Sequence, residues 1–327
     1  MSTDIDGIVV VQSGETDEQR GFALKDAYDA AKQKAFNKKR RMTVVVPPGR
    51  YDVGSFGLLV NSDCVDIVGL IEANVMSAGR RNMAIRPTVT IYGSGMDVVH
   101  IGKDHVTISD VELVATSKSG AWLYDVEHPR RIPAALAVDA EVGNNILFRR
   151  CLIRAEDQRR AIPTRVGDHL YASFVECVII GSYSLGGYPP SANYREHAFY
   201  GHVERSYIEG PCAVAGGGGT CYGSLFDSCI EGCDSVAAYG EINGVVERCM
   251  IRGIRAFGTG GGFGFLSRIT DTCVEGPDAM QASYVDEGAV FHGVRGVPPN
   301  LYTMGGNWEL CVTTSGTVIT QWPPPRG

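Results

Sequence analysis

An eight-residue unit recurs along the chain, and it constrains the fold more than any other feature of the sequence. The unit reads apolar, variable, charged, small, variable, apolar, variable, glycine, as in Val203 to Gly210 and Val246 to Gly253. Five further segments fit the frame, beginning at residues 108, 148, 174, 225 and 269. From residue 148 onward the units follow one another at steps of 21 to 29 residues, which is the length of one coil in a wide β-solenoid.

Alternation inside the unit predicts a strand with one buried face. Positions four and six alternate with positions five and seven, which is the period-two pattern of such a strand. Position six is aliphatic in every unit, and in stacked coils it predicts an aliphatic ladder in the interior. Position eight is mostly glycine and predicts the turn, because glycine reaches backbone dihedrals that strain other residues. Position four is small in every unit, so we interpret most of the ten cysteines as buried thiols: Val111, Cys151, Cys177, Ser206, Ser228, Cys249 and Thr272.

Position three of the unit carries charges whose sign alternates from one coil to the next. Stacked parallel strands lie ~4.8 Å apart, so alternating charges attract where identical ones would repel. The column predicts a ladder of ion pairs that fixes which coil lies beside which; a catalytic role is the alternative. Its members are Asp110, Arg150, Glu176, Arg205, Asp227, Arg248 and Asp271.

The beginning of the chain carries a resemblance to a known superfamily. The segment Thr43 to Tyr51 reads TVVVPPGRY, and it follows an amphipathic stretch from Phe22 to Ala31. Together with the repeats, over roughly residues 21–276, it resembles the pectate-lyase-like, right-handed parallel β-helix superfamily. The resemblance implies an all-β solenoid with an N-terminal capping helix. It implies no single function, because the superfamily includes polysaccharide lyases, hydrolases, epimerases and viral tailspikes.

The capping helix and the segments of the chain follow from local signals. Thr16 to Gln19 supplies a helix start. We predict an N-terminal segment with the capping helix at residues 1–40, the β-helix at 41–300, and C-terminal strands with a proline-rich tail at 301–327. The repeat frame is expected to decay after Gly276. The helical face expected to be apolar contains Phe22, Leu24, Ala27, Tyr28, Ala31 and Phe36.

Composition and charge exclude several classes of partner. The net charge of -7 gives no basic field for a nucleic-acid backbone. No apolar run approaches the ~18 residues of a membrane span. The first residues lack the basic and apolar order of a secretory signal. Neither the cysteines nor the histidines have the spacing of a metal site, so we expect no metal and no cofactor.

Enzyme motifs of the superfamily are missing from the sequence. Arg130 to Pro133 and Arg160 to Arg165 each approach the R-x-P-x-x-R context of the pectate lyases but miss its spacing. Gly201 to Val203 echoes the G-H-G segment of the polygalacturonases, but the sequence has no Asp-Asp pair and no Asn-Thr-Asp segment. The resemblance therefore carries no catalytic residue across.

Carboxylates outside those motifs remain candidates for catalysis. Glu209 and Glu231 occupy position seven, and Asp234 follows three residues after Glu231. Carboxylates on neighbouring coils are expected to lie ~5–10 Å apart, which suits a retaining or inverting pair. The alternative is a solvated face whose charges Arg154 and Arg252 balance.

Two loops are rich in aromatic residues, at 117–131 and 182–202. Tyrosines beside arginine and carboxylate hold sugar rings by stacking and hydrogen bonding, and they also suit protein interfaces. Glycan contact, subunit contact and simple loop packing remain open. The residues concerned are Trp122, Tyr124, Tyr183, Tyr188, Tyr194, Arg195, His197 and Tyr200.

Two classes of function fit these observations. The first is a bacteriophage virion appendage of the spike, fibre or capsid-decoration type. It would be a homotrimer assembled in the host cytoplasm, in contact with other virion proteins and a surface polysaccharide. The alternative is a polysaccharide lyase or glycoside hydrolase of the same superfamily, exported by a non-classical route. A bacterial structural or adhesion protein is a third reading.

Overall fold

The structure is a computed structural model. It describes residues 7–71, 87–94, 97–116, 134–138, 145–155, 169–181, 183–187, 198–216, 219–237, 240–257, 262–276, 284–286, 288–295, 308–313 and 316–321. The chain divides into two compact units. Unit 1 comprises Met1–Ile162 and Tyr171–Gly181, and unit 2 comprises Pro163–Leu170 and Ser182–Gly327.

Unit 1 contains three stacks of parallel strands, here numbered in chain order. Stack 1a consists of β1 (Ile8–Val10), β2 (Met42–Val46), β5 (Val65–Gly69), β8 (Thr107–Ser109), β11 (Leu147–Arg149) and β14 (Ser173–Val175). Stack 1b consists of β3 (Gly49–Asp52), β6 (Val89–Gly93), β9 (Glu112–Ala115), β12 (Leu152–Ala155) and β15 (Val178–Ile180). Stack 1c consists of β4 (Leu58–Val60), β7 (Asp97–Ile101) and β10 (Ala134–Val138).

Unit 2 contains four stacks, again with parallel pairing from coil to coil. Stack 2a consists of β18 (His202–Glu204), β22 (Ser224–Phe226), β26 (Val245–Glu247), β30 (Arg268–Thr270) and β33 (Val290–His292). Stack 2b consists of β19 (Tyr207–Glu209), β23 (Cys229–Glu231), β27 (Met250–Arg252), β31 (Cys273–Glu275) and β34 (Val294–Arg295). Stack 2c consists of β13 (His169–Leu170), β17 (Ala198–Phe199), β21 (Thr220–Cys221), β25 (Glu241–Ile242), β29 (Gly262–Phe263) and β32 (Tyr284–Val285). Stack 2d consists of β16 (Tyr183–Gly187), β20 (Cys212–Gly216), β24 (Asp234–Val236) and β28 (Arg255–Phe257).

A single helix in the described residues, α1 (Asp17–Lys38), precedes these strands apart from β1. It begins with the predicted signal: the Thr16 hydroxyl accepts a hydrogen bond from the Gln19 amide, and the Gln19 side chain accepts one from the Thr16 amide. This reciprocal capping box satisfies two amides that a helix start otherwise leaves without partners. Lys39 ends the helix in the left-handed conformation.

Helix α1 packs on β1, β2 and β3, but its buried face differs from the predicted one. Phe22 and Phe36 are 59% and 84% exposed. At this point of the helix the buried residue is Gly21 and not Phe22. A Cβ at Gly21 would collide with the carbonyl of Asp52 in β3. The helix thus lies too close to β3 for a phenylalanine at that contact. The buried residues are Gly21, Leu24, Ala27, Tyr28, Ala31 and Ala35.

The predicted interior ladder is present in both units. In unit 1, Ile153 pairs in register with Leu113 and Ile179. In unit 2, Ile230 pairs with Ile208 and Ile251. All six side chains are fully buried. Burying one such side chain stabilises the fold by roughly 1.5–3 kcal/mol, so the aligned column is a principal source of stability.

The chain turns at position three of each repeat, and in unit 2 it turns again at position eight, where it leaves stack 2b for stack 2d. All seven charged residues of position three adopt the left-handed conformation, with φ between 47° and 61°. Of the position-eight glycines in unit 2, Gly232 and Gly253 have no such φ. They are glycines because a Cβ at either position would collide with the carbonyl oxygen of the coil before it, at Gly210 or Gly232. The predicted reason for these glycines was therefore wrong: close approach of backbones requires them.

Position four closes the turn with a side-chain hydrogen bond. Its hydroxyl or thiol donates to the carbonyl of position two: Ser228 to Phe226 at 2.7 Å and Cys249 to Glu247 at 3.4 Å. The left-handed residue between them turns the chain, and this bond spans the turn. Cysteine, serine and threonine interchange here because each is small and carries a donor. The nine cysteines whose side chains the structure describes are all thiols.

The alternating charges form ion pairs between coils. Arg150 donates two hydrogen bonds to the carboxylate of Asp110, at 2.6 and 2.7 Å. Arg248 binds Asp227 in the same way, at 2.6 and 3.0 Å. In both pairs the arginine reaches back to the coil before its own. A two-pronged bond of this kind fixes geometry as well as charge.

The repeat frame continues one coil beyond its predicted end. Phe291 pairs with Ile269 in register, so residues 291–295 form a further unit. Gly293 occupies position three with a φ of 65°, and the sequence frame missed it because no charged residue stands there. Beyond it, β35 (Trp308–Thr313) and β36 (Gly316–Gln321) form an antiparallel hairpin, and β36 pairs with β34. No helix among the described residues combines the length and apolar character needed to cross a membrane.

Candidate functional site

Position seven of the repeat forms a charged column on the outer side of stack 2b. Glu209, Glu231, Arg252 and Glu275 follow one another in register on four successive coils. Position six points into the core, so position seven faces outward by the alternation of a strand. The column therefore brings together two of the three predicted catalytic carboxylates, Glu209 and Glu231.

Tyr207 links these two carboxylates. Its hydroxyl lies 2.9 Å from Oε2 of Glu209 and 3.1 Å from Oε2 of Glu231. Because both oxygens contact one hydroxyl, they lie at most about 6 Å apart, a range that includes the ~5–5.5 Å of the carboxyl pair in retaining glycosidases. Burial, reinforced by the two carboxylates, raises the pKa of Tyr207, so the phenol stays protonated and donates.

Arg252 connects the next two coils. Its guanidinium donates to Oε1 of Glu231 at 3.0 Å and to Oε2 of Glu275 at 2.8 Å. Its side chain is 45% exposed, and those of Glu231 and Glu275 are 32% and 49% exposed. An ion pair this open contributes at most about 1 kcal/mol. The network therefore aligns coils more than it stabilises them.

Glu231 is held in its ionised form. Burial acts to raise its pKa, but hydrogen bonds from Arg252 and Tyr207 hold that pKa below its ordinary value. An ionised carboxylate serves as a base or nucleophile, whereas a general acid needs a raised pKa. Burial also raises the pKa of the neighbouring Cys229 to about 11, and Glu231 acts in the same direction. Cys229 is therefore a protonated thiol.

Asp234, the third predicted carboxylate, begins β24 in stack 2d and not in stack 2b. Its backbone pairs with Cys212 and Arg255 on the neighbouring coils. The side chain of Asp234 lies outside the described residues.

A pair of stacked tyrosines marks a second surface of unit 2. The rings of Tyr200 and Tyr222 lie 4.7 Å apart at an angle of 7°, and each residue is just over a third exposed. One face of each ring is covered by the other ring, so the exposed part of each residue lies away from that contact. His202, two residues after Tyr200 in the chain, lies 2.8 Å from the Ser224 hydroxyl.

Of the other residues predicted for glycan or subunit contact, Tyr183 begins β16, and its side chain is not described. The remaining members fall outside the described residues: Trp122, Tyr124, Tyr188, Tyr194, Arg195 and His197. Tyr200 is thus the member of that set whose surroundings the structure gives.

Sequence reasoning missed Tyr207 and Tyr222, although a signal for Tyr222 was present. Tyr200 and Tyr222 each precede a repeat start by three residues, at Val203 and Leu225. Extending the eight-residue frame backward by three positions would have placed them on neighbouring coils. Tyr207 is the only tyrosine of position five, so no repeated residue type at that position pointed to it.

Within the part of the chain that the structure describes, no three His, Cys, Asp or Glu side chains cluster in a way that suits a metal ion.

The sequence matches no protein-family model and is similar to no curated protein. Among solved structures, the chain is similar to pectin methylesterase from the rice weevil, with a TM-score of 0.42 and 11% identity over 84% of this chain and 86% of that one. It is also similar to pectin methylesterase from Aspergillus niger, with a TM-score of 0.40 and 12% identity over 93% and 84%. The Dettilon tailspike protein gives a TM-score of 0.39 and 11% identity over 90% of this chain and 48% of that one.

The fold itself is identified by the strands. Consecutive strands enter different stacks, each stack gains one strand per coil, and the pairing from coil to coil is parallel. The chain is therefore an all-β protein whose strands stack as a parallel β-helix, and it carries an N-terminal helix.

Proposed function

We propose that this chain is a structural β-helical appendage of the phage-virion type, which contacts a surface polysaccharide without cleaving it. The observation that carries the proposal is the Glu231 network. Its carboxylate accepts from Tyr207 and Arg252 on the coils to either side, and its pKa is lowered. Both oxygens of this carboxylate are thus engaged in contacts between coils, and its lowered pKa does not suit a general acid.

Part of this proposal rests on the sequence. The missing lyase and polygalacturonase motifs and the small, thiol-rich column at position four motivated the virion role. The homotrimer, the other virion proteins as partners and assembly in the host cytoplasm belong to the same hypothesis. Light scattering coupled to gel filtration tests the trimer: three times the chain mass of 35.1 kDa is expected. A stable monomer at micromolar concentration would remove that part of the proposal.

Polysaccharide contact is assigned to the exposed parts of Tyr200 and Tyr222. Aromatic rings with a polar tip bind sugars through apolar contact and a hydrogen bond together. Binding to immobilised bacterial capsular and O-antigen polysaccharides is expected to weaken about tenfold in Tyr222→Ala, which corresponds to roughly 1.4 kcal/mol. Tyr222→Phe separates the hydroxyl from the ring. Phe265→Ala is the matched control, because Phe265 is an exposed aromatic residue of the same unit.

Wild-type affinity in Tyr222→Ala would remove this surface from the proposal. Equal losses in Tyr222→Ala and Phe265→Ala would also count against it, because they would indicate a general effect on the fold.

The spacing of Glu209 and Glu231 favours a second candidate, a polysaccharide lyase or glycoside hydrolase. In that reading Glu231, held ionised, is the nucleophile or base and Glu209 the acid. The assay is the release of new reducing ends or unsaturated sugars from a polysaccharide panel. The appendage predicts no release. Release that is lost in Glu231→Gln and retained in Glu275→Gln would establish the enzyme instead.

A further inference from the structure

Two cysteines of position four, Cys151 and Cys177, stand on adjacent coils of unit 1. The strand pairs before and after them are in register, Arg149 with Val175 and Leu152 with Val178. The two cysteines therefore lie directly over each other. Adjacent parallel strands are ~4.8 Å apart, and the Cα atoms of a disulfide are usually ~4.4–6.8 Å apart. The coil spacing alone thus places this pair within disulfide range.

The two thiols also point into the same interior. Both residues are fully buried. The thiol of Cys177 donates to the carbonyls of Phe148 and Val175, and that of Cys151 donates to the carbonyl of Arg149. Burial raises the pKa of Cys151, and a hydrogen bond with the Cys177 thiol acts in the same direction. The sulfur atoms are therefore neighbours.

Other cysteines of the described residues are less well placed. In position four of unit 2, Cys249 stands between Ser228 and Thr272, neither of which carries sulfur. On the outer face, Cys229 and Cys273 are separated by the coil of Met250. Two coil steps amount to ~9.6 Å, which exceeds the reach of a disulfide.

We propose that Cys151 and Cys177 are a preformed interior dithiol, which closes to a disulfide when the chain folds in the presence of a small disulfide oxidant. One cysteine thiolate attacks the oxidant, forming a mixed disulfide and releasing one small thiol. The other cysteine then attacks the mixed disulfide and displaces the second small thiol, so two protein thiols and one disulfide become one protein disulfide and two thiols. Once the coils have closed over the reduced pair, burial keeps the oxidant out.

The experiment refolds the full chain from reducing denaturant in two buffers, one with oxidised and reduced glutathione and one with reductant. Free thiols are then alkylated in denaturant and the protein is digested with trypsin. Cleavage after Arg150, Arg154, Arg165 and Arg195 gives peptides 151–154 and 166–195, each with one cysteine. A crosslink between them is expected in the oxidised sample. The midpoint of thermal unfolding is expected to rise by about 5 °C or more.

Variants separate this pair from the other thiols. Cys151→Ser and Cys177→Ser each remove the crosslink and keep a donor for the turn, as Ser206 and Ser228 do in unit 2. Cys249→Ser is the matched control and is expected to leave both the crosslink and the thermal shift intact.

Either of two results would overturn the proposal: free thiols at both positions after oxidative refolding, or a dominant crosslink elsewhere, such as Cys221 to Cys249. Peptide mapping of the wild-type chain decides between these outcomes even if a variant does not fold. Oxidant added to the folded, reduced chain is expected to produce no crosslink between Cys151 and Cys177. Rapid closure there would show that the pair is open to solvent.

Discussion

Replacement of Gly253 by alanine tests why glycine recurs at position eight. A Cβ at Gly253 would collide with the carbonyl oxygen of Gly232 and would lie 3.1 Å from its carbonyl carbon and 2.6 Å from the Ser235 hydroxyl. Backbone atoms cannot rotate away, so the two coils would have to separate by about 1 Å to restore ordinary contact. That separation breaks the hydrogen bond from the Gly232 amide to the Arg252 carbonyl, now 2.9 Å long.

The expected loss is about 2–4 kcal/mol, since overpacking a core costs roughly 1–3 and one backbone hydrogen bond roughly 1 kcal/mol. Urea unfolding followed by far-UV circular dichroism gives the midpoint and slope, and amide hydrogen exchange shows which coils lose protection. Gly54→Ala is the control: Gly54 has a φ of 67° and no atom within 4 Å of an added Cβ. Its loss comes from backbone strain alone, about 1–2 kcal/mol.

A loss in Gly253→Ala no larger than that in Gly54→Ala would refute the reasoning. The coils would then have room for a side chain at position eight, and close approach of the backbones would not explain the glycine.

Three further predictions concern the turn and the helix. Arg150→Ala is expected to lower the free energy of unfolding by about 2 kcal/mol, because it leaves the buried carboxylate of Asp110 without the arginine that donates two hydrogen bonds to it. Arg150→Gly should lose less in the same urea series, because glycine adopts the left-handed backbone of this position without strain. A larger loss in Arg150→Gly than in Arg150→Ala would contradict this account. The hydrogen bond from Tyr92, aided by two arginines, lowers the pKa of Asp17 below 3.8, so its stabilisation is present above about pH 4 and is lost as the pH falls through the lowered pKa. The thermal midpoint of wild type should therefore fall more steeply in acid than that of Asp17→Asn, and parallel curves would show that the contact is without effect. The free energy of unfolding of Cys249→Ser is expected to remain within about 1 kcal/mol of wild type. Cys249→Val should lose about 1–2 kcal/mol, because valine has no donor for the position-two carbonyl. Equal stabilities of the two variants would show that position four requires only a small side chain and no donor.

Much of the fold was predictable from the sequence because a solenoid repeats its environment. Each coil packs against similar neighbours, so the same repeat position meets the same physical constraint in every coil. Similar residues therefore recur at that position along the sequence. The buried Ile208, Ile230 and Ile251 and the paired charges Asp227 and Arg248 were predicted in this way, and the structure places them as expected.

The candidate site was less accessible because its contacts cross from coil to coil between different columns. Tyr207 at position five contacts Glu209 and Glu231 at position seven. A periodic pattern in the sequence does not predict a contact between two different positions of the repeat. The stacked pair of Tyr200 and Tyr222 lies outside the eight-residue frame. Both predictions about site residues were made from residue type, and their partners emerged only in three dimensions.

The sequence by itself determined the coil, its interior columns and the alternation of charge along position three, because these depend on which residues repeat. Only the tertiary structure showed that the chain also turns at position three and why glycine stands at position eight. A glycine needed for a positive φ and a glycine needed because a carbonyl of the next coil lies against it are the same letter in the sequence. The distance between two backbones, as between Gly232 and Gly253, exists only after the coils have stacked.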